Sequence, residues 1–477
     1  MSAITYLQLR TNIVGIQQIK KLKIIQNIND HAYLYLTAIL SDECKDDYVK
    51  GVKAKEQIEI FIEGSQSEIL FKGMIQHIQV EAIDDIYYLE IKGASNSFNT
   101  DIKKEYRSFQ DKNMTYKNMI QSIITNYSGG AILDKASQGK KIEKFIIQYE
   151  ETDWEFLKRM ASHFNMGLLP SIKHEGPKIV FGILEGNELG EIDNYNYYVT
   201  KNIEQYMKSS KNTNPSLKQL DAITFHIETY YDYEIGDKVT YQNIHLYIKS
   251  KEIEMKNGIL LFRYILSTKM GLSQDRLYNE QIAGISLKGK VLERVYDKLK
   301  VHLEIDKFQD KSKAWEFTYT TIYTAEGNSG WYCMPELNDT VLIYFPTKEE
   351  DKGVGMNSIR VMNKSTDKIG NPDIKYFRTL DGKELKFGPD EICITCINGM
   401  DKETGESKVI YIKLNQNKGI EIVSSEPILF KTDKGIKLEA EDSIKILAGE
   451  QIKLKCKTSE ISIDSKIDIC GEDVRIN

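Results

Sequence analysis

Long apolar runs are missing from this chain of 477 residues. Nowhere does it reach the roughly 18 to 20 consecutive apolar residues of a membrane-spanning helix. The first twenty residues carry Arg10, Asn12, Gln17 and Lys20 in place of an apolar stretch, so synthesis in the cytoplasm without a cleaved signal peptide is expected. Cysteine is scarce as well. Six thiols, Cys44, Cys333, Cys393, Cys396, Cys456 and Cys470, are too few for a disulfide framework and suit a reducing compartment. The seven histidines (His31, His77, His163, His174, His226, His245 and His302) lack the spacing of a metal site, and no metal or other cofactor is expected. Excess basic charge is absent too. The 64 Lys and Arg face 70 Asp and Glu, a net −6, which argues against nucleic acid as a partner.

What the chain does have is a repeat. Near its C-terminus an apolar pair returns every eight residues: Ile412/Leu414, Ile420/Ile422, Ile428/Phe430, Ile436/Leu438, Ile444/Ile446 and Ile452/Leu454. Strand side chains alternate with period two and eight is even, so all these residues fall on one side of a stacked ladder. Between the members of each pair stand Lys413, Glu421, Leu429, Lys437, Lys445 and Lys453, polar in five of six and suited to water. Two residues beyond each pair come Gln416, Ser424, Thr432, Ala440, Ala448 and Cys456, all small except Gln416. Gly419, Pro427, Gly435 and Ser443 precede pairs and suit turns. A coil of this length offers one short strand with about three inward side chains, too few for one chain to enclose a core. Several chains sharing a core solve that problem, so the repeat reads as an intertwined trimeric β-helix. An antiparallel meander is the alternative.

The length expects about three or more domains. From residue 6 to about 95 the runs 22–28, 33–40, 57–63, 68–75 and 87–92 are rich in Ile, Tyr, Phe and Leu between Asn-Asp, Gly-Ser and Asp-Asp turns. They predict an antiparallel barrel. Tyr116, Met119, Ile120, Ile123 and Ile124 switch to helical spacing. Thr152-Asp153-Trp154-Glu155 is a capping box, followed by Leu157, Met160, Ala161 and Phe164 on one helix side, with Gly167 suiting its end. Residues 183–218 are Asn-, Asp-, Lys- and Ser-rich and predict irregular connections. A second strand group, 222–230, 238–241, 246–251 and 260–267, predicts a related barrel. Five short strands at 287–293, 300–305, 316–323, 340–344 and 358–362 fit an OB-type barrel.

Local motifs add a resemblance. Phe71-Lys72-Gly73-Met74-Ile75, Lys92-Gly93-Ala94-Ser95 and Tyr106-Arg107-Ser108-Phe109-Gln110 resemble the first barrel of VgrG spike proteins. Gln148-Tyr149-Glu150-Glu151-Thr152-Asp153-Trp154-Glu155-Phe156-Leu157 is similar to that family's helical signature. The run from Ser329-Gly330-Trp331 through Met334-Pro335-Glu336-Leu337-Asn338-Asp339-Thr340-Val341 resembles its barrel motif, with Asn338 in place of a usual Gly. Asn still tolerates a positive φ. The resemblance spans nearly the whole chain and takes in type VI secretion spikes and the hub-spike proteins of phage tails, tailocins and extracellular injection particles.

It implies a mainly β fold with a small α+β insertion: a first hub β-barrel over 1–110, a helix-containing insertion and connections over 111–218, and a second hub β-barrel over 219–275. An OB-type barrel follows over 276–362, then a linker over 363–400 and the octad needle over 401–477. It further implies a non-enzymatic homotrimer, made in a bacterium or phage-infected bacterium. This trimer would sit on the inner tube and baseplate and puncture the target envelope, carrying a PAAR-type tip cap and effector cargo. Beyond Leu454 the pairs Ile461/Ile463, Ile467/Ile469 and Val474/Ile476 lose the eight-residue register. Ile469, Val474, Ile476 and Asn477 are therefore the candidate cap-docking tip.

Three features invite chemistry. Cys393 and Cys396 have C-x-x-C spacing, but on a strand an offset of three separates the thiols. Glu349-Glu350-Asp351 could pair carboxylates for glycoside hydrolysis, yet contiguous acids on a loop read better as a solvated turn. Trp315, Phe317 and Tyr319 could stack on a ligand, although filling the barrel is the better reading. The rival functions are a β-helical tail-fibre adhesin and, behind it, a baseplate cell-wall hydrolase.

Overall fold

The computed structural model describes residues 4–44, 51, 53, 56–64, 68–192, 197–324, 329–360, 370–400 and 407–463. The chain divides into two units, Met1–Asn363 and Lys364–Asn477.

In the first unit the strand Ile16–Asn27 decides the architecture. It pairs with Tyr33–Leu40 on one side and with Ile244–Lys256 on the other, where Ile24 stands opposite Ile253 and Asn27 opposite Ser250. With both edges used, the two strand groups expected as two related barrels are joined in one continuous twelve-stranded sheet. Leu22, Ile24, Leu34 and Leu36 from the first group share a buried cluster with Ile253, Phe262 and Leu266 from the second. The stretch 183–218 is more ordered than its composition suggests. It supplies the strands Glu188–Glu191 and Tyr197–Lys201 and the helix Ile203–Asn212. Pairing with Lys238–Tyr241 and Ile223–Thr229 outweighs local propensity there.

The insertion follows its periodicity. In the helix Tyr116–Ile124, Tyr116, Met119, Ile120, Ile123 and Ile124 are all buried. The helix Asp153–Ser162 begins with the expected capping box: Glu155 N donates to Thr152 Oγ1 at 3.1 Å, and Thr152 N donates to Glu155 Oε2 at 2.9 Å. Its end differs from expectation. The left-handed residue is Asn165 (φ 53°), whereas Gly167 is there for space, since a Cβ would lie 2.5 Å from Ile28 Cγ2.

Five strands, Ser286–Val295, Lys298–Leu303, Glu316–Tyr319, Val354–Ile359 and Thr340–Tyr344 in spatial order, close into the OB-type barrel. Phe317 fills its interior, and Trp315 and Tyr319 pack against the same cluster. The insertion contributes to this core. Phe145 meets Phe317 edge-on at 5.0 Å and stacks on Phe345 at 5.8 Å. Asn338 adopts φ 68°.

The second unit opens with an antiparallel sheet of Lys375–Arg378, Glu384–Phe387, Glu391–Met400, Ser407–Asn415 and Gly419–Ser424. The first two apolar pairs of the repeat face each other in it, Ile412 opposite Ile422 and Leu414 opposite Ile420. They are hairpin arms, as the meander alternative had it. The cause is the connection at 415–419, where Asn415 Oδ1 accepts from Asn417 N and Lys418 N and Gly419 takes φ 85°. Beyond Ser424 the backbone bends at 425–426, 433–434, 441–442 and 449–450, once per octad. A hairpin of Ile452–Cys456 and Ser459–Ile463 ends the described chain.

Candidate functional site: a polar joint and an uncovered apolar face

The signature residues at 106–110 and 148–157 build a joint. The strand Ile146–Thr152 lies between two cores, with Ile146 in the insertion's cluster and Phe145 and Ile147 in the barrel's. Polar side chains then lock the strand in place. Arg107 Nε donates to Gln148 Oε1 at 2.7 Å and its guanidinium pairs with Asp153, which also accepts from Tyr127 Oη at 2.8 Å. Buried Arg159 donates to both Glu151 oxygens at 2.7 and 2.8 Å, to Ile147 O at 2.7 Å and to Glu350 Oε1 at 3.0 Å. Burial works against its charge, but Glu350 and Glu151 outweigh burial and hold the guanidinium cationic. Ser108 N and Oγ donate to Asp306 of the barrel at 2.6 and 2.5 Å.

The acidic run is therefore not a solvated turn throughout. Glu350 is buried and accepts from Ile147 N at 2.9 Å, because an arginine on the helix Asp153–Ser162 comes to meet it. Its carboxylate is engaged by the Arg159 guanidinium and the Ile147 backbone.

The other surface is apolar. Ile428, Phe430, Ile436, Leu438, Ile444 and Ile446 are at least half exposed, with Phe430 and Leu438 both at 70% and the adjacent Leu429 and Leu447 higher still, at 83% and 93%. Among the described residues, no backbone hydrogen bond forms within 427–450. The sheet before it adds to this surface. Ile412, Leu414, Ile420 and Ile422 share a face with Ile392, Ile394, Leu385, Phe387 and Phe377 through their registers, and all but Leu385 are exposed there. The charged Lys413 and Glu421 pair on the opposite face at 3.4 Å. In the last pair, Leu454 is exposed and Ile452 half-buried.

Ile392 and Ile394 were absent from the expected core although their alternation with Cys393 carried the signal. Cys393 is buried with its Sγ 3.5 Å from Thr395 Oγ1, and Cys396 is exposed; both are free thiols. The candidate tip residues Ile469, Val474, Ile476 and Asn477 lie outside the described residues. Among the described residues no cluster of metal-ligating side chains occurs and no helix is long and apolar enough to cross a membrane.

No family model matches the sequence, and no curated protein is significantly similar to it. Solved structures do match. The E. coli c3393 protein, described as a component of the type VI secretion system with structural similarity to T4 bacteriophage tail proteins gp27 and gp5, aligns over 74% of this chain and 99% of its own. The alignment has 11% identity and a TM-score of 0.54. A chain of the lidded Francisella PdpA–VgrG complex aligns over 86% of this chain and 76% of its own, with 11% identity and a TM-score of 0.54.

Proposed function

We propose, from the premise that this chain has the hub-spike fold of VgrG and related tail proteins, that it is the trimeric hub and spike of a contractile injection system. The reading rests on one observation above all: the octads from 427 to 450 expose an apolar row and leave their backbone without ladder partners among the described residues. Backbone N–H and C=O groups are obligatory hydrogen-bonding groups, and a contiguous exposed apolar surface marks an interaction site. Two further copies, each offering the same segments at the same spacing, supply the partners and share a core. The needle core is then Ile428, Phe430, Ile436, Leu438, Ile444 and Ile446, entered through the face of Ile412, Leu414, Ile420 and Ile422 and continued by Ile452 and Leu454.

In this reading the sheet-rich body joins the inner tube and baseplate, and the charged outer faces of the needle keep it soluble. The needle's role is mechanical and needs no catalytic group: it pierces the target envelope under sheath contraction. A PAAR-type cap docks at the tip around Ile469 to Asn477, and effectors travel as cargo. Light scattering of the purified protein tests the reading. Particles of three chains are expected, and a stable monomer of 54.9 kDa would overturn it.

A further inference from the structure

A cleft of 230 Å³ lies where the insertion, the connection at 276–278 and the barrel loop at 348–352 meet. Five cationic side chains line it against three carboxylates. Arg159 is engaged by Glu350 at 3.0 Å, and Lys348 by Glu280 at 2.8 Å. Glu349, Asp351 and Lys352 stand exposed on the rim. Lys144 and Arg276 have no carboxylate partner among the described residues, and the Arg276 guanidinium lies 5.4 Å from the Tyr278 ring.

His163 completes the lining. Its Nδ1 is 2.8 Å from Tyr116 Oη. With that hydroxyl as the donor to Nδ1, the neutral ring carries its proton on Nε2. Burial, together with Lys144, Arg276 and Arg159, keeps the imidazole neutral by pushing its pKa down to about 2. Lys144 is held below the usual lysine range, first by burial and then by Arg276 and Arg159, against the opposing pull of Glu350 and Asp351. The cleft thus gathers, beside the His163 ring, two cations that no carboxylate bonds directly among the described residues.

We infer that this cleft binds a phosphate-class oxyanion, held by Lys144, Arg276 and the Nε2–H of His163. Charge-assisted hydrogen bonds of this kind are the strong ones, and a planar guanidinium suits two oxygens of one phosphate. The bound ion would tie the insertion to the barrel loop. This inference concerns the first unit alone and does not depend on the number of chains in the particle.

Thermal melting and calorimetric titration of the full chain with inorganic phosphate test it, against sodium chloride at matched ionic strength. Phosphate is expected to raise the melting temperature along a saturable curve, as a ligand of the folded state does. Lys144→Gln and Arg276→Gln are each expected to weaken binding at least tenfold. Neither removes an ion pair among the described residues, so both variants should fold. Lys208→Gln, on an exposed helix pair with Glu204, is expected to bind as the natural chain does. Glycerol phosphate distinguishes the sources: equal binding identifies an esterified phosphate as admissible, and binding of inorganic phosphate alone identifies a free ion. An effect matched by chloride, or unchanged in both glutamine variants, overturns the inference.

Discussion

In the body, Ile24, Leu34, Phe262 and Phe317 are sealed from water within their own chain, whereas Ile436, Leu438, Ile444 and Ile446 of the repeat stand in it. The difference is what each segment finds beside it: Ile16–Asn27 has a ladder partner on each edge, and 427–450 has none among the described residues. The body therefore carries its stability intramolecularly, whereas in the proposed trimer the repeat draws its stability from the other copies.

The sharpest way to break this comparison is to charge the repeat. Ile436→Asp with Ile444→Asp is expected to abolish the trimer, reducing the mass in light scattering to one third, while the body's melting transition stays in place. A shared dry core cannot accept six unpaired carboxylates from three chains. Were the trimer to survive, the apolar row would not be the shared core.

The converse change loosens the body and spares the repeat. Arg159→Met leaves Glu151 and Glu350 buried without their cation and is expected to destabilise the body by about 3–5 kcal/mol in urea melts. A smaller effect comes from Asp101, which accepts from Thr152 Oγ1 and faces His31 Nε2 at 3.2 Å. Burial acts to raise its pKa, but the bonds from His31 and Thr152 outweigh burial and hold the carboxyl below its ordinary value. Such a group adds stability above the ordinary carboxylate pKa and loses it as pH falls through the depressed folded value. Asp101→Asn is thus expected to cost about 1–2 kcal/mol at neutral pH. The two proteins should converge in acid, which urea melts across pH would show.

These joints explain what was legible in advance. The helix Asp153–Ser162 announces itself because capping box and apolar spacing are local, and the octad period shows because it repeats. Barrel strands carry alternation and turn residues, so their order follows. The union of the two strand groups depends on Asn27 meeting Ser250, more than two hundred residues apart, and periodicity holds no record of that. Glu350 looked solvated for the same reason, since Arg159 lies 191 residues before it. In the repeat, the hairpin at 415–419 was written in Asn415 and Gly419, but the even spacing on either side masked it.

The smallest change probes the comparison most finely. Body turns use left-handed residues such as Asn29, Asn165, Asn257 and Asn338, while no described residue between 420 and 456 has a positive φ. The octad bends thus do not need glycine for its conformation. At Gly435 an added Cβ meets nothing within 4 Å in its own chain. Gly435→Ala should then restrict the unfolded chain without straining the folded one, a gain of about 0.4–1 kcal/mol. The expected result is an unchanged trimer mass and a needle at least as resistant to denaturant. If this methyl group instead weakens the trimer while the body melts normally, a second chain's backbone passes closer to residue 435 than its own chain does. The glycine would then mark the tightest approach between copies.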